Sequence, residues 1–347
     1  MKTTSALFLV QTPLHVINAI EAINQFGIIK STFFIVTSAH NVKWKLMMEN
    51  MLPNNVKRIY CIRNDYDLEE GTKAYATHIS YLKEQCFDFV FFADARLYIF
   101  VDIVNSLNVS STFLMDDGTG TLLAIHSLLK NGTYYDMSVN KSPERQKDIE
   151  RIKRKYGLWS LAPVKYNLFT VFDYMPCKYF DVVSNAMTRI SYTHRNPDEN
   201  TVLLIGQPFV QIMHMTADAY LHCLRRVENF YEGKKIAYLP HPREGQSFIE
   251  SLSESSGFEI IETTLNAENY IINRIKAPQT ICGFLSTSLW NIAKFQKGIN
   301  VESFQIPDEL FSAELRVRRT RSNSVTDLGF LNIIYDYYKS RMPVYPL

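Results

Sequence analysis

Three short groups of polar residues lie far apart in this chain, and each directly follows an apolar run typical of a buried strand. The groups are Asp116-Asp117-Gly118, His241-Pro242 and Ser286-Thr287-Ser288. Ligands of open α/β sheets bind beyond the carboxyl ends of the strands, so we expect the three groups to serve one cleft. Together they would supply a base, an acid and an anion site, which are the requirements of a transferase acting on a phosphate-linked donor.

The carboxylate pair Asp116 and Asp117 is the candidate for general-base chemistry. Glycosyl transfer by inversion needs a base beside the acceptor hydroxyl, and a partly buried carboxylate beside a like charge has a raised pKa. One acid would act as the base and the other would hold it in place. Gly118 would let a ligand approach the backbone closely. The competing interpretation is a polar loop that merely follows a buried strand.

His241 stands between Pro240 and Pro242, which stiffen the backbone and fix the direction of the imidazole. The ring could donate a proton or a hydrogen bond to a leaving phosphate. The competing interpretation is a structural histidine whose ring is satisfied by its neighbours. Arg243 could add positive charge to the same anion, or it could form a salt bridge with Glu244.

The hydroxyl-rich group that starts at Ser286 precedes a helical sequence, where Ser and Thr act as N-caps. A cap and a phosphate site are compatible, because a helix N-terminus offers free N–H groups and partial positive charge. Polar residues at two further strand ends would either contact a substrate or form ordinary turns. They are Gly206 and Gln207 for the donor, and Thr12 and His15 for the acceptor side, which also includes Gly118.

The composition is that of an ordinary globular protein, and the length of 347 residues suggests two domains. Hydrophobic residues make up 46% and charged residues 21%, which provides an ample core. The formal charge of +2 argues against a nucleic-acid binder, because such proteins usually carry a strong basic excess. The five cysteines include no C-x-x-C pair, so we expect a reduced, cytoplasmic protein. No apolar run is long enough for a membrane span. Peripheral contact with the cytoplasmic face of the inner membrane stays open. A homodimer stays open as well.

Strand-like and helix-like segments alternate along the chain, which predicts parallel sheets built from βαβ units. Residues 1–195 are expected to form an N-terminal Rossmann-like domain and residues 196–320 a second one, with a turn-rich boundary between them. Residues 321–347 should contain a helix that packs back on the N-terminal domain. Two α/β domains whose parallel sheets face a central cleft resemble the GT-B fold of glycosyltransferases, although a fold alone does not fix function.

The sequence offers no convincing metal site. It contains no complete P-loop, G-x-G-x-x-G or H-E-x-x-H motif. The one D-x-D motif, Asp65-Tyr66-Asp67, lies in a polar run and is interpreted as a solvated loop. We therefore expect no metal and no cofactor besides the donor substrate, with the helix dipole, the histidine and the hydroxyl groups acting on the phosphate.

In their order and placement, the three groups resemble the motifs of bacterial sialyltransferases with the GT-B fold. That pattern consists of an acid-acid-Gly motif, a His-Pro motif and a downstream Ser/Thr-rich motif. The contexts from Gln11 to His15 and from Tyr238 to Glu244 are most similar to glycosyltransferase family 52, which includes lipooligosaccharide sialyltransferases. The resemblance extends from the first strand to about Phe295.

The resemblance implies an inverting, metal-independent glycosyltransferase. It would move sialic acid or a related nonulosonic acid from its CMP donor to a hydroxyl of a cell-surface glycan, either lipooligosaccharide or capsule. We assign the base to Asp116 and a supporting role to Asp117, although the sequence does not separate the two. The residues implied at the CMP phosphate are His241, Pro242, Ser286, Thr287 and Ser288.

Three other functions fit the same residues. They are a GT-B transferase that uses another nucleotide sugar, a GT-B-like sugar-nucleotide epimerase and a non-catalytic glycan-assembly protein. An epimerase would need no acceptor site, and the intact acids and His241 count against a non-catalytic protein. Release of CMP from CMP-sugars, with and without an acceptor, would separate these functions.

Overall fold

The computed structural model describes residues 4–37, 42–63, 67–95, 97–107, 109–132, 143–158, 166–317 and 327–347. The chain divides into two compact units, residues 1–187 and 188–347. The sequence places the boundary between residues 195 and 196, inside the segment that the structure assigns to the second unit. Residues 188–195 include a short strand that pairs within the second unit, which explains the earlier boundary.

The first unit alternates strands and helices as the sequence predicts. Its elements are β1 (Ser5–Val10), α1 (Pro13–Phe26), β2 (Lys30–Thr37), α2 (Val42–Met51), β3 (Lys57–Ile62), α3 (Leu68–Glu84), β4 (Phe89–Ala93), α4 (Tyr98–Leu107), β5 (Thr112–Met115), α5 (Thr119–Asn131), α6 (Pro143–Lys155), β6 (Asn167–Thr170) and β7 (Val182–Ser184). The sheet order is β3-β2-β1-β4-β5-β6-β7, and each adjacent pair of strands is parallel.

The centre of this sheet is buried on both faces, which is why its strands are continuous apolar runs. Phe8 on β1 stacks on Phe33 and on Phe91, with ring centroids 5.0 Å apart in each pair. Leu7 and Leu9 point to the opposite face and belong to a separate buried cluster. This two-sided burial holds the carboxyl ends of β1, β4 and β5 in a fixed order along one edge.

The second unit repeats the same design. Its elements are β8 (Tyr192–Thr193), β9 (Asp198–Ile205), α7 (Ala217–Phe230), β10 (Lys235–Leu239), α8 (Gln246–Ser255), β11 (Glu259–Ile260), α9 (Ala267–Ile272), β12 (Pro278–Gly283), α10 (Thr287–Phe295), β13 (Gln296–Lys297), β14 (Asn300–Gln305), a 3-10 turn (Asp308–Leu310), α11 (Ala313–Val317), α12 (Asp327–Lys339) and β15 (Val344–Pro346). Six strands form a parallel sheet in the order β11-β10-β9-β12-β14-β15, and β8 pairs with β13.

The terminal helix α12 belongs to the second compact unit. The buried hydroxyl of Tyr335 accepts a hydrogen bond from the Ile306 amide at 3.2 Å, and β15 pairs with β14. The buried hydroxyl of Tyr338 donates to the Ser286 carbonyl at 2.8 Å. Buried hydroxyls need such partners, and these tyrosines find them in the second unit.

Among the residues that the structure describes, no helix combines the length and the apolar character needed to cross a bilayer. Helix α6 is rich in charged residues, and many of them are exposed to solvent. Ile152 on this helix is buried, and Nζ of Lys153 lies 2.9 Å from Oδ1 of Asp102.

Candidate active site

Asp116, the first residue after β5, is an enclosed carboxylate with only 1% of its surface exposed. Its Oδ1 accepts a hydrogen bond from the Thr170 hydroxyl at 2.7 Å, and its Oδ2 accepts one from the Val171 amide at 2.7 Å. Both donors lie at the end of the neighbouring strand β6. The carboxylate therefore ties the two strand ends together and leaves almost no surface for a substrate.

Asp117 is the more accessible member of the pair, with 20% of its side chain exposed. Its Oδ1 lies 2.8 Å from Nε2 of His15, which lies in the first turn of α1. Its amide donates to the Thr121 hydroxyl at 2.8 Å, in the first turn of α5. The carboxylate is thus held in one direction while part of it stays open to solvent.

The hydrogen bonds of His15 fix which of its ring nitrogens carries the proton. The Gln11 amide donates to Nδ1 at 3.1 Å, so Nδ1 is the unprotonated nitrogen of a neutral ring. The proton therefore lies on Nε2 and is donated to Asp117. His15 is 1% exposed and both of its nitrogens are in use, so it orients the carboxylate and does not itself meet a substrate. Thr12 supports this arrangement as the N-cap of α1, where its hydroxyl accepts from the His15 amide at 3.4 Å.

Two buried asparagines complete this edge, and neither is predicted from the sequence. Asn18 donates from Nδ2 to the Asp116 carbonyl at 3.0 Å. Its Oδ1 accepts from Nδ2 of Asn185 at 3.0 Å. Asn18 lies on the buried face of α1 near His15. A polar residue within an apolar helix face needs a buried hydrogen-bond partner, and this pattern in the sequence could have identified Asn18.

Gly118 occupies a conformation that requires glycine, with φ 61° and ψ −143°. It is the N-cap of α5, and its carbonyl accepts from the Thr121 amide at 3.1 Å. The turn places Asp117 immediately before a helix N-terminus. A negative carboxylate is stabilised there by the partial positive charge of the helix.

Replacing Asp116 with Asn should lower stability, because it changes a carboxylate that accepts two buried hydrogen bonds. The Asn side chain replaces one accepting oxygen with an NH₂ group. That group would face the Thr170 hydroxyl or the Val171 amide, so one of the two hydrogen bonds is lost or reversed. We expect the free energy of unfolding to fall by about 1–3 kcal/mol. Urea titration followed by fluorescence measures this change. An unchanged midpoint would show that the Thr170 and Val171 contacts are not anchors.

In the second unit, His241 is half-buried in a turn that follows β10, between Pro240 and Pro242. The Arg243 amide donates to Nδ1 at 3.1 Å. The neutral ring therefore carries its proton on Nε2. The prolines restrict the backbone as the sequence predicts, and the Arg243 amide adds the direction of the ring.

Glu244 is a partly buried carboxyl group that lies directly behind this turn. Its Oε2 accepts from the His241 amide at 2.5 Å, and its Oε1 accepts from the Tyr238 hydroxyl at 2.5 Å. Burial raises the pKa of Glu244 to about 8, against the smaller lowering effects of these two hydrogen bonds. From the sequence, Glu244 is expected only as a partner for Arg243, because its contact with Tyr238 on β10 depends on the folded turn.

Gly206 and Gln207, at the end of β9, join the same cluster of contacts. A side chain at Gly206 would overlap Oε2 of Glu244 and the Tyr238 hydroxyl, so glycine is required by close packing. The Gln207 amide donates to the Tyr220 hydroxyl at 2.9 Å. The structure therefore accounts for Gly206 through this packing, in addition to any ligand contact.

The hydroxyl-rich group forms the start of α10. Ser286 is its N-cap and accepts from the Ser288 amide at 3.3 Å, while Thr287 is the first helical residue. All three side chains are half-buried. Gly283 lets β12 approach the carbonyl of Ile205, where a Cβ would lie at 3.1 Å. A helix N-terminus lined by hydroxyl groups is an anion site in chemical character.

Asp67 of the D-x-D motif is a helix cap. It accepts from the amides of Glu69 at 2.9 Å and Glu70 at 3.0 Å at the start of α3. Asp65 and Tyr66 lie outside the described residues. Within the described residues, no group of three or more His, Cys, Asp or Glu side chains could hold a metal ion.

The sequence profile of one family, described as alpha-2,8-polysialyltransferase (POLYST), matches residues 6–305 of the 347. The chain belongs to this family. It is therefore a glycosyltransferase of the sialyltransferase type, which uses a nucleotide-sugar donor and a glycan acceptor. The match does not confirm membership in glycosyltransferase family 52. No curated protein sequence matches the chain significantly.

Solved structures support the GT-B fold. UGT2 of Phytolacca americana, complexed with UDP-2fluoro-glucose and pterostilbene, matches with a TM-score of 0.53 at 9% identity, over 99% of this chain and 85% of that one. A putative UDP-N-acetylglucosamine 2-epimerase of Listeria monocytogenes matches with a TM-score of 0.54 at 11% identity, over 98% and 89%. Such low identities establish the fold alone, and the predicted pair of Rossmann-like parallel sheets is confirmed.

Proposed function

We propose that this protein transfers sialic acid or a related nonulosonic acid from a CMP donor to a hydroxyl of a cell-surface glycan, with inversion and without a metal ion. The observation that carries the proposal is the half-open carboxylate of Asp117, held at 2.8 Å by the neutral imidazole of His15 at the end of a parallel sheet. The family membership supports sialyl chemistry, and the remaining residues fit the parts that such a reaction needs.

Asp117 is the general base in this proposal. It would accept the proton of the acceptor hydroxyl as that oxygen attacks the anomeric carbon of the donor sugar. The sequence analysis gives this role to Asp116. We exchange the two roles because both oxygens of Asp116 accept short hydrogen bonds in a buried position, whereas Asp117 is 20% exposed.

His15 would serve Asp117 by orientation. Its Nε2–H donates to Oδ1 of a carboxylate that is 20% exposed, so the carboxylate is held in place where an acceptor could approach it. It cannot take a proton at Nδ1 without losing the bond from the Gln11 amide. Thr12 and Gly118 act on the same edge, through the cap of α1 and the turn into α5.

The second unit would hold the CMP phosphate. The N-terminus of α10, with Ser286, Thr287 and Ser288, offers amide and hydroxyl donors, and His241 offers Nε2–H. CMP leaves as a phosphate monoester, whose second pKa is about 6. The leaving phosphate can therefore depart as an anion that is stabilised by hydrogen bonds and is not protonated. A neutral His241 can donate such a hydrogen bond without changing its protonation state. Gln207 lies in the loop after β9, and Pro242 lies in the loop after β10.

The two hydroxyl residues at the cap of α10 should contribute mainly to donor binding. We expect the double variant Ser286→Ala with Thr287→Ala to weaken CMP binding by about 10-fold or more, because charge-assisted hydrogen bonds to phosphate exist already in the ground state. Isothermal calorimetry measures the affinity. A double variant of the exposed Ser251 and Ser253 on α8 is the matched control and should bind CMP normally. Unchanged affinity in the first variant would move the phosphate site elsewhere.

Metal independence follows from this choice of phosphate ligands. Transfer should continue at an undiminished rate in excess EDTA, because helix dipole, hydroxyl groups and imidazole neutralise the phosphate. CMP release in EDTA-treated and untreated protein tests this. Loss of activity that Mn²⁺ or Mg²⁺ restores would instead make Asp65 and Asp67 candidate ligands.

The donor nucleotide can be tested apart from turnover. Calorimetry with CMP, UDP and GDP should show CMP binding most tightly. A preference for UDP would favour another nucleotide-sugar transferase or an epimerase. We further propose a cytoplasmic site of action, where CMP-sugars would be available to the enzyme, with peripheral contact at the inner membrane.

A further inference from the structure

The turn that carries His241 is closed from both sides by Glu244. The Glu244 amide donates to the His241 carbonyl at 2.9 Å, and the Glu244 carboxyl group accepts from the His241 amide at 2.5 Å. The Arg243 amide inside the turn donates to Nδ1 of the ring. The direction of the imidazole therefore depends on the shape of this turn, and the shape depends on the carboxyl group behind it.

The carboxyl group is in turn held by a buried tyrosine pair. Its Oε1 accepts from the Tyr238 hydroxyl at 2.5 Å, and the hydroxyls of Tyr238 and Tyr220 lie 3.3 Å apart. The Tyr220 hydroxyl accepts from the Gln207 amide at 2.9 Å. Gly206 leaves space for this chain of contacts. The chain connects the end of β9, helix α7 and the turn after β10.

We propose that Glu244 is a positioning residue of the donor site, which fixes the Nε2–H tautomer and the direction of His241 through this hydrogen-bonded chain. The inference rests on the proposed function only for the identity of the ligand. The tautomer itself is a property of the protein without substrate, so it can be measured whether or not CMP binds.

The matched substitutions are Glu244→Gln and Glu244→Ala. Gln keeps an oxygen that accepts from the His241 amide and an amide that donates to the Tyr238 hydroxyl. Ala removes both contacts and leaves the His241 amide without this acceptor. Glu254→Gln, at an exposed position on α8, is the control for removing one acidic group.

The decisive readout is the ¹⁵N spectrum of histidine-labelled protein, with the His241 signals assigned from a His241→Asn variant. Native protein and Glu244→Gln should show an unprotonated Nδ1 and a protonated Nε2. Glu244→Ala should show both tautomers in exchange and bind CMP about 10-fold more weakly, as expected for a lost buried hydrogen bond. A folded Glu244→Ala protein with the native tautomer and native CMP affinity would overturn the proposal.

One further variant decides the matter if Glu244→Ala does not fold. Tyr238→Phe removes one support of the carboxyl group and should bring the second tautomer into the spectrum. A native tautomer there would overturn the proposal. If native protein fails to bind CMP at all, the proposed function fails, while the tautomer comparison still tests Glu244.

The pH dependence of the free energy of unfolding, compared between native protein and Glu244→Gln, provides an independent check on the Glu244 carboxyl group. Because the pKa of Glu244 is raised, the folded protein binds a proton between pH 4.5 and about 8 that the unfolded chain does not. Native stability should therefore decline across this window relative to Glu244→Gln, and the difference should level off above it. Tyr220 and Tyr238, which face the carboxyl group, do not titrate there because burial raises their pKa values well above 10. A difference that does not change with pH would contradict the raised pKa of Glu244.

Discussion

Asp117→Asn is expected to lower kcat by about 10²–10⁴-fold while CMP binds with unchanged affinity. The amide keeps the size of the side chain and an oxygen for the His15 Nε2–H, but it cannot accept the proton of an acceptor hydroxyl. The loss should therefore appear in the chemical step and not in donor binding. Steady-state kinetics at saturating acceptor, together with calorimetry of CMP, measure the two quantities.

Asp116→Asn is the matched control, because it makes the same chemical change one residue earlier. Its loss of stability, predicted above, should leave the folded protein with activity within about 10-fold of native, since a residue that acts only as an anchor is not part of the proton transfer. If Asp116→Asn abolishes turnover in folded protein and Asp117→Asn is mild, the base is Asp116 and our exchange of roles is wrong.

His241→Ala should lower kcat by about 10²–10³-fold, the usual effect of removing one preorganised donor to a developing anion. The bond from Nε2 strengthens as charge builds on the leaving phosphate, so kcat should fall more than CMP affinity. His241→Gln should retain more activity than His241→Asn, because the Gln amide reaches the position of Nε2 and the Asn amide reaches only that of Nδ1.

The dependence of kcat on pH separates a neutral donor from a general acid at His241. The bond from the Arg243 amide to Nδ1 favours the neutral ring, so kcat should not fall as pH rises through neutrality. Wild-type and His241→Gln proteins should then share the same profile on the alkaline side. A falling alkaline limb that disappears in His241→Gln would identify His241 as an acid and contradict our assignment.

Much of the fold follows from patterns that the sequence displays locally. Apolar runs buried on both faces, alternating with amphipathic helices, predicted the parallel sheets, and the structure confirms them. The strands β6 and β7 were not predicted, because Asn167–Thr170 and Val182–Ser184 are short and lie among irregular segments. The contacts of the buried tyrosine hydroxyls on α12 could not be read from the sequence, because their partners are distant in the chain.

In the site, too, some features could be predicted from the sequence and others could not. The motifs stand out because polar residues directly follow buried strands, and their placement at strand ends needs only the period of the sheet. The separate roles of Asp116 and Asp117 need contacts from Thr170 and Val171, which lie 54 and 55 residues further along the chain. Neither the partner of Asp117 nor that of Glu244 is visible in sequence, because hydrogen-bond partners are set by tertiary packing.

The most direct test of the proposal is the product formed from CMP-N-acetylneuraminic acid and a fluorescent sialylated oligosaccharide. We predict acceptor-dependent release of CMP, with one acid sugar added to the oligosaccharide for each CMP and an inverted anomeric configuration by NMR. Asp117→Asn should form this product at a rate reduced as stated above. Failure to form it, together with acceptor-independent conversion of a UDP-sugar, would contradict the sialyltransferase account and leave an epimerase as the function.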